Sequence, residues 1–409
     1  MRMRRAWLNG TLVLSLALPA GAADWPQWRG PNRDGISMEK GWSVSWPKEG
    51  LRQVWKAQIG TGYGTVAVSK GHLYVLGNTA DKDTAYCLDS GTGKEVWKFT
   101  YDCAAKDPNG YHGVRSTPTV DGDLVFITSR HGHLFCLGAG DGKVKWSKQY
   151  GKDYGAKTPT WGFAGSPLVE GDLLIVEPGG PGASVVALKK ATGEEVWKSG
   201  SAPASYSSPV IQNLNGERCV VVFSAQGAAG RRVKDGKELW GFPWKTSYDV
   251  NAATPIIDGS KVFVSSGYGT GCALYDVSSN PPRELWKNKN MRNHVNSCVL
   301  WKGYLYGFDE NSLKCLDFAT GEVKWSEGKY GKGSLMLADG KLLLYSERGQ
   351  LGLAEPAPEG YKELAFIQAL PVRENYPGGA AKQTWAAPVL ANGKIYCRSQ
   401  DDLVCLDVK

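Results

Sequence analysis

The chain lacks most of what would assign it a chemistry. Its apolar stretch at residues 12–18 is too short for a membrane span, which needs roughly 20 residues. No two of its nine cysteines are adjacent or in C-x-x-C spacing, and no C-x-x-C-H haem motif occurs. Histidine is scarce. His131 and His133 alternate on one strand-like run and would face opposite sides, a poor metal pair. No Ser-His-Asp order or nucleophile elbow stands out, and no long segment has helical period. Neither sign of charge dominates: 48 Lys+Arg against 40 Asp+Glu give +8, too mild a balance to argue for nucleic acid.

What is present begins with a leader. Arg2, Arg4 and Arg5 precede the apolar stretch, and Ala20-Gly21-Ala22 is an A-x-A-like cleavage site. Residues 1–23 therefore read as a secretory signal peptide. Its removal would take the formal charge from +8 to +5. The expected mature chain is soluble and monomeric, periplasmic or secreted. With no cysteine near the cleavage point, no lipid anchor is expected there.

Seven tryptophans then recur, each ending a strand-like run: Trp55, Trp97, Trp146, Trp197, Trp240, Trp286 and Trp325. With Phe366 they stand 39 to 51 residues apart, the period of a β-propeller blade. Residues 116–146 show the unit: four short β-branched and aromatic runs separated by Asp-Gly turns and by His131-Gly132. The frame recurs as Asp89-Ser90-Gly91-Thr92-Gly93 before Trp97, and as Asp317-Phe318-Ala319-Thr320-Gly321 before Trp325. The fifth repeat has Pro281-Pro282 instead, and the seventh has lost both turn and Trp. After Phe366 only three strands remain, while Gln53-Val54-Trp55-Lys56 stands unused at the other end. The N-terminal strand should complete the last blade and close the ring, removing an exposed edge. The reading is all-β: an eight-bladed propeller of four-stranded antiparallel blades over residues 51–409, after an extension at 24–50.

Cys87, Cys136, Cys315 and Cys405 share one slot, which Ala187 fills in the third blade. They read as small packed hydrophobes. A bridge between Cys397 and Cys405, on adjacent strands of one hairpin, stays open as an alternative.

The element D-x-x-T-G-x-x-x-W resembles the tryptophan-docking motif of the pyrroloquinoline quinone (PQQ) propellers. That superfamily includes the quinoprotein alcohol dehydrogenases and the non-enzymatic outer-membrane β-barrel assembly lipoprotein. The stretch from Asp24 to Gly35, with Trp25-Pro26-Gln27-Trp28-Arg29-Gly30-Pro31, is similar to the opening of a group of exported PQQ-like repeat proteins. Its tryptophans should pack on the propeller surface and anchor the closing strand, so a ring begun at Gln53 should still fold. Alternatively it covers a channel mouth and offers its arginines to a ligand.

Short turns occupy one end of such a ring. Long loops, at residues 98–115, 147–164 and 367–385, occupy the other, where function concentrates. Residues entering the inner strands there should ring the channel: Tyr63, His112, Arg115, Trp161, Phe163 and Tyr206 from the first half. Asp249, Asn251, His294, Asn296, Lys332 and Trp385 come from the second. Glu177, Arg130, His131, Glu347, Arg348 and Asp401 could join from the loops between second and third strands.

The quinoprotein resemblance implies PQQ, a calcium with oxygen ligands, a catalytic Asp and a stacking platform. Asp249 is the candidate base. Glu177, Asn251 and Asp249 are the candidate metal ligands, and Trp161 or Trp385 the stacking face. The platform disulfide of those enzymes has no counterpart. The favoured expectation is therefore a non-catalytic module binding a protein, peptide or glycan. A PQQ-dependent alcohol or sugar dehydrogenase is the alternative, and a polysaccharide hydrolase or lyase a third reading.

Overall fold

A computed structural model describes residues 23–105, 110–371 and 384–409. Residues 1–22 of the expected leader, and parts of the loops at 98–115 and 367–385, lie outside the described residues. The strands form eight sheets around an axis, each built on four antiparallel strands that follow chain order in all but the blade that closes the ring. Blade one spans residues 67–102, and blade seven residues 333–368. Blade eight takes its outermost strand from Gln53–Gln58, which pairs antiparallel with Asp402–Asp407, Trp55 lying opposite Cys405. The ring thus closes as the repeat count requires.

The repeat's turn and tryptophan explain each other. Trp55 donates its indole N–H to Ser90 O (3.0 Å) in the next blade. Trp97, Trp146 and Trp197 do the same to Ala139, Lys190 and Val233 at 2.8–3.0 Å. Trp286 and Trp325 reach Phe318 and Ala357 at 3.1 and 2.7 Å. Each Thr-Gly turn carries the preceding blade's ring. Gly93 sits at φ +70°, and a Cβ there would lie 2.6 Å from the Trp55 ring, so both conformation and space demand glycine. Trp240 faces the blade whose turn is Pro281-Pro282, and its indole nitrogen has no partner among the described residues. It stacks on Phe242 instead, and Phe242 on Tyr275 at 3.8 Å.

The shared cysteine slot has the same logic. Cys87, Cys136, Cys315 and Cys405 lie directly across the strand pair from Trp97, Trp146, Trp325 and Trp55. Ala187 faces Trp197 and Gly230 faces Trp240, so in six blades a small residue stands opposite the indole, whereas blade five puts Leu274 opposite Trp286. All nine cysteines are buried and unbridged. Cys397 pairs with Val404 while Cys405 pairs with Tyr396. One register step separates them, so they point to opposite faces and cannot form the bridge left open above.

The opening segment departs from expectation. It does not pack on the outside but threads into the central channel from the short-turn end. Trp25 forms a β-bridge with Val68 of blade one. Val120 N of blade two donates to Pro26 O (2.8 Å), and Arg33 donates to Val169 O of blade three. Trp28 Nε1 reaches Thr254 Oγ1 of blade five at 2.9 Å, and Arg29 reaches Cys298 O of blade six at 2.8 Å. Ile36–Ser37 then adds a parallel fifth strand along Leu337–Ala338 of blade seven. Glu39 caps the first turn of blade eight by accepting from the backbone N–H of Asn392 and Gly393. The segment is a plug that ties seven blades together from within. Its arginines are not offered to a ligand: Arg29 is buried, bonded to three backbone carbonyls, and pushed down to about 10 by that burial.

Candidate functional site

With the short-turn end plugged, the described residues enclose a well at the loop-rich end of the channel. Its volume is about 160 Å³, and Trp28 of the plug closes it from below. One wall is Tyr63, Tyr111 and Trp385. The Trp385 ring lies 5.3 Å from each tyrosine and is stacked on Tyr111. The Arg115 guanidinium lies over Tyr63 at 5.2 Å, a cation–π distance. The facing wall is Trp161 against Tyr206 and Tyr248, both at 5.8 Å. The aromatic run continues through Tyr268 to His294, 4.5 Å apart and edge-on.

His294 is the chemically distinctive member. Its Nδ1 lies 2.9 Å from Lys332 Nζ. An ammonium only donates, so Nδ1 accepts and the ring proton sits on Nε2. Burial, with the Lys332 charge beside it, pulls the imidazole down to about 4, so it is neutral at ordinary pH. Glu310 stands 3.7 Å from both His294 Nδ1 and Lys332 Nζ and balances the ammonium.

The structure brings seven of the expected residues to the well: Tyr63, Arg115, Trp161, Tyr206, His294, Asn296 and Trp385. Others stand elsewhere. Lys332 lies behind His294. His112 contacts Ala105 O at 3.3 Å, off the well, and Arg130 and His131 contact Ala105 and Ala104. Asn251 is fully buried with its amide committed to Ser224 O, Trp244 O and Ser266 Oγ. Asp249 is exposed on left-handed backbone at φ 57°. Asp401 accepts from Thr61 Oγ1 at 3.1 Å. Glu347 and Arg348 do not line the well, and Phe163 packs on Tyr150 at 5.1 Å. Glu177 lies with Phe163 in a separate cavity of about 10 Å³ between blades three and four. Its Oε1 is buried with no partner among the described residues, and desolvation pushes the carboxyl up to about 8. Trp28, Tyr111, Tyr268, Ser166 and Ser208 line the well unforeseen. Tyr268 was the most accessible of these, since it lies in the Gly267-Tyr268-Gly269 loop between second and third strands.

The family described as outer membrane protein assembly factor BamB matches residues 39–115 and 104–327, more than half of the chain. The chain belongs to that family. No curated protein matches it in sequence. Among solved structures, BamB from Moraxella catarrhalis is 15% identical at a TM-score of 0.61, covering 88% of this chain and 98% of its own. Quinohemoprotein alcohol dehydrogenase from Comamonas testosteroni is 11% identical at 0.66, covering 95% and 81%. A europium-containing methanol dehydrogenase is 12% identical at 0.54, covering 94% and 98%. At such identities the BamB and dehydrogenase likenesses establish the eight-bladed fold alone.

The quinone-and-calcium set implied by the quinoprotein resemblance does not fit the well. Calcium takes six to eight oxygen ligands, yet no carboxylate is among the described residues lining the well. Nor do the described residues hold any cluster of three or more His, Cys, Asp and Glu. Asp249, Asn251 and Glu177 point into three different environments, so no metal-adjacent base is assembled. The buried cysteines offer no disulfide platform.

Proposed function

We propose that this chain is an exported, non-catalytic binding or scaffold propeller that seats its ligand in the loop-rich well. The observation that carries the reading is the lining: aromatic rings from several blades converge there without a carboxylate among the described lining residues. Such a wall gives large contact area and fixed orientation but no carboxylate cage for a cation. Membership of a family named for an outer membrane assembly factor supports a scaffold role and a place in the exported compartment. The leader-like start supports the same place, and no helix of the described residues is long and apolar enough to cross a membrane.

Adding PQQ with calcium to the purified protein tests the reading against dehydrogenase chemistry. The expected result is no saturable change by calorimetry or absorbance. Stoichiometric quinone binding with dye-linked oxidation of an alcohol or sugar would overturn it.

A further inference from the structure

The hydrogen-bonding polarity of the well narrows its ligand. Ser166 Oγ already accepts from Thr117 N, and Ser208 Oγ from Ser166 N, both at 2.9 Å. Each hydroxyl therefore keeps its proton to give. Tyr206 OH accepts from Trp161 N at 3.4 Å and is in the same position. Lys332 occupies His294 Nδ1 and leaves the Nε2–H as the nitrogen without a partner among the described residues. The Trp385 indole N–H also has no acceptor among the described residues, but it is buried beneath the surface of the well.

Several backbone acceptors beside the well are already engaged, which leaves the second lone pairs of the hydroxyls and one amide oxygen. Arg115 donates to Trp161 O and to Tyr111 O, and Asn296 Nδ2 donates to Trp385 O at 3.2 Å. Asn296 Oδ1 is the remaining amide acceptor. Arg115 itself can only donate. A cavity of about 150 Å³ holds one benzene-sized ring, so a well of about 160 Å³ seats one ring, and anything longer would extend through its mouth.

We infer that the well takes a single ring bearing a carboxylate, an inference that rests on the binding reading above. The ring lies against Trp161 or Trp385, and the carboxylate meets the donors of Tyr206, Ser208 and His294. A uronic acid sugar and an aromatic acid share this chemistry.

The test titrates the full mature chain with D-galacturonate and benzoate, beside their neutral counterparts galactose and benzyl alcohol, and with benzylamine as a cation. Calorimetry and tryptophan fluorescence read binding. The expected result is that at least one acid binds saturably and about tenfold or more tighter than its neutral counterpart, as a hydrogen-bonded charge requires. Tyr206→Phe and His294→Phe should each shrink that preference several-fold while neutral-ring binding stays. Which acid prevails identifies the source. Equal or tighter binding of a neutral or cationic probe overturns the inference and leaves the binding reading in place. Failure of both acids at about 10 mM also overturns it, and the stability comparison that closes the Discussion then decides the binding reading separately.

Discussion

Glu177 is a residue whose environment opposes its charge. The apolar approach of blade three ends on it, and Phe163, Tyr150 and serine hydroxyls surround a space of about 10 Å³, room for about one water. The folded carboxyl titrates near 8, against 4.5 ordinarily. The fold therefore holds a proton that the unfolded chain releases. That raises stability at low pH and loses it as pH climbs from about 4.5 through 8. Glu177→Gln should match the wild type near pH 4. Above pH 8 it should be more stable by on the order of 2 kcal/mol, read by denaturant unfolding across pH. A difference that does not grow with pH would contradict a neutral buried carboxyl. Glu177 was legible as a loop residue but not as one with a buried carboxyl oxygen. Sequence position said which end it faced, whereas the packing of two blades decides its solvation.

At the scale of elements, the N-terminal segment has two jobs with different consequences. Gln53–Gln58 closes the ring, and this was legible because the last repeat was one strand short and a Trp-bearing strand stood unpaired. The plug was not legible. Trp25, Trp28, Arg29 and Arg33 carry no period, and an inward thread and an outward clasp share one composition. Its bonds to seven blades make it costlier to remove than a surface clasp. Deleting residues 24–50 should leave a ring that is folded but measurably less stable, with the well unplugged at the short-turn end. Deleting through Lys56 should also unpair Asp402–Asp407, and a bare strand edge invites self-association. Thermal melting and size-exclusion chromatography check both. A stable monomer lacking Val54 and Trp55 would contradict closure.

On the scale of the molecule, the repeat places aromatics twice. At the short-turn end, tryptophans of successive blades dock on turns and hold the ring. At the loop-rich end, Trp161, Trp385 and their tyrosines converge on the axis. The sequence located this second set by strand entry, so Tyr63, Arg115, Trp161, Tyr206, His294, Asn296 and Trp385 were found. It misplaced Asn251, Asp249 and Lys332 because strand entry does not say which way a side chain turns. Asn251 turned inward to satisfy buried carbonyls and Lys332 backed His294. Tyr111 and Ser166 were missed because only the assembled ring brings them to the axis.

The central claim is that the rings of the well are held for a ligand, whereas those between blades are held for stability. Denaturant unfolding of Trp161→Ala, Trp385→Ala and Trp240→Ala tests this without knowing the ligand. Trp240 is 1% exposed, while Trp161 and Trp385 are only partly buried. The account predicts a loss of about 3–5 kcal/mol for Trp240→Ala and of roughly 1 kcal/mol or less for the two well variants. Losses of about 3 kcal/mol or more at Trp161 and Trp385 would make them packing residues and contradict a ligand well.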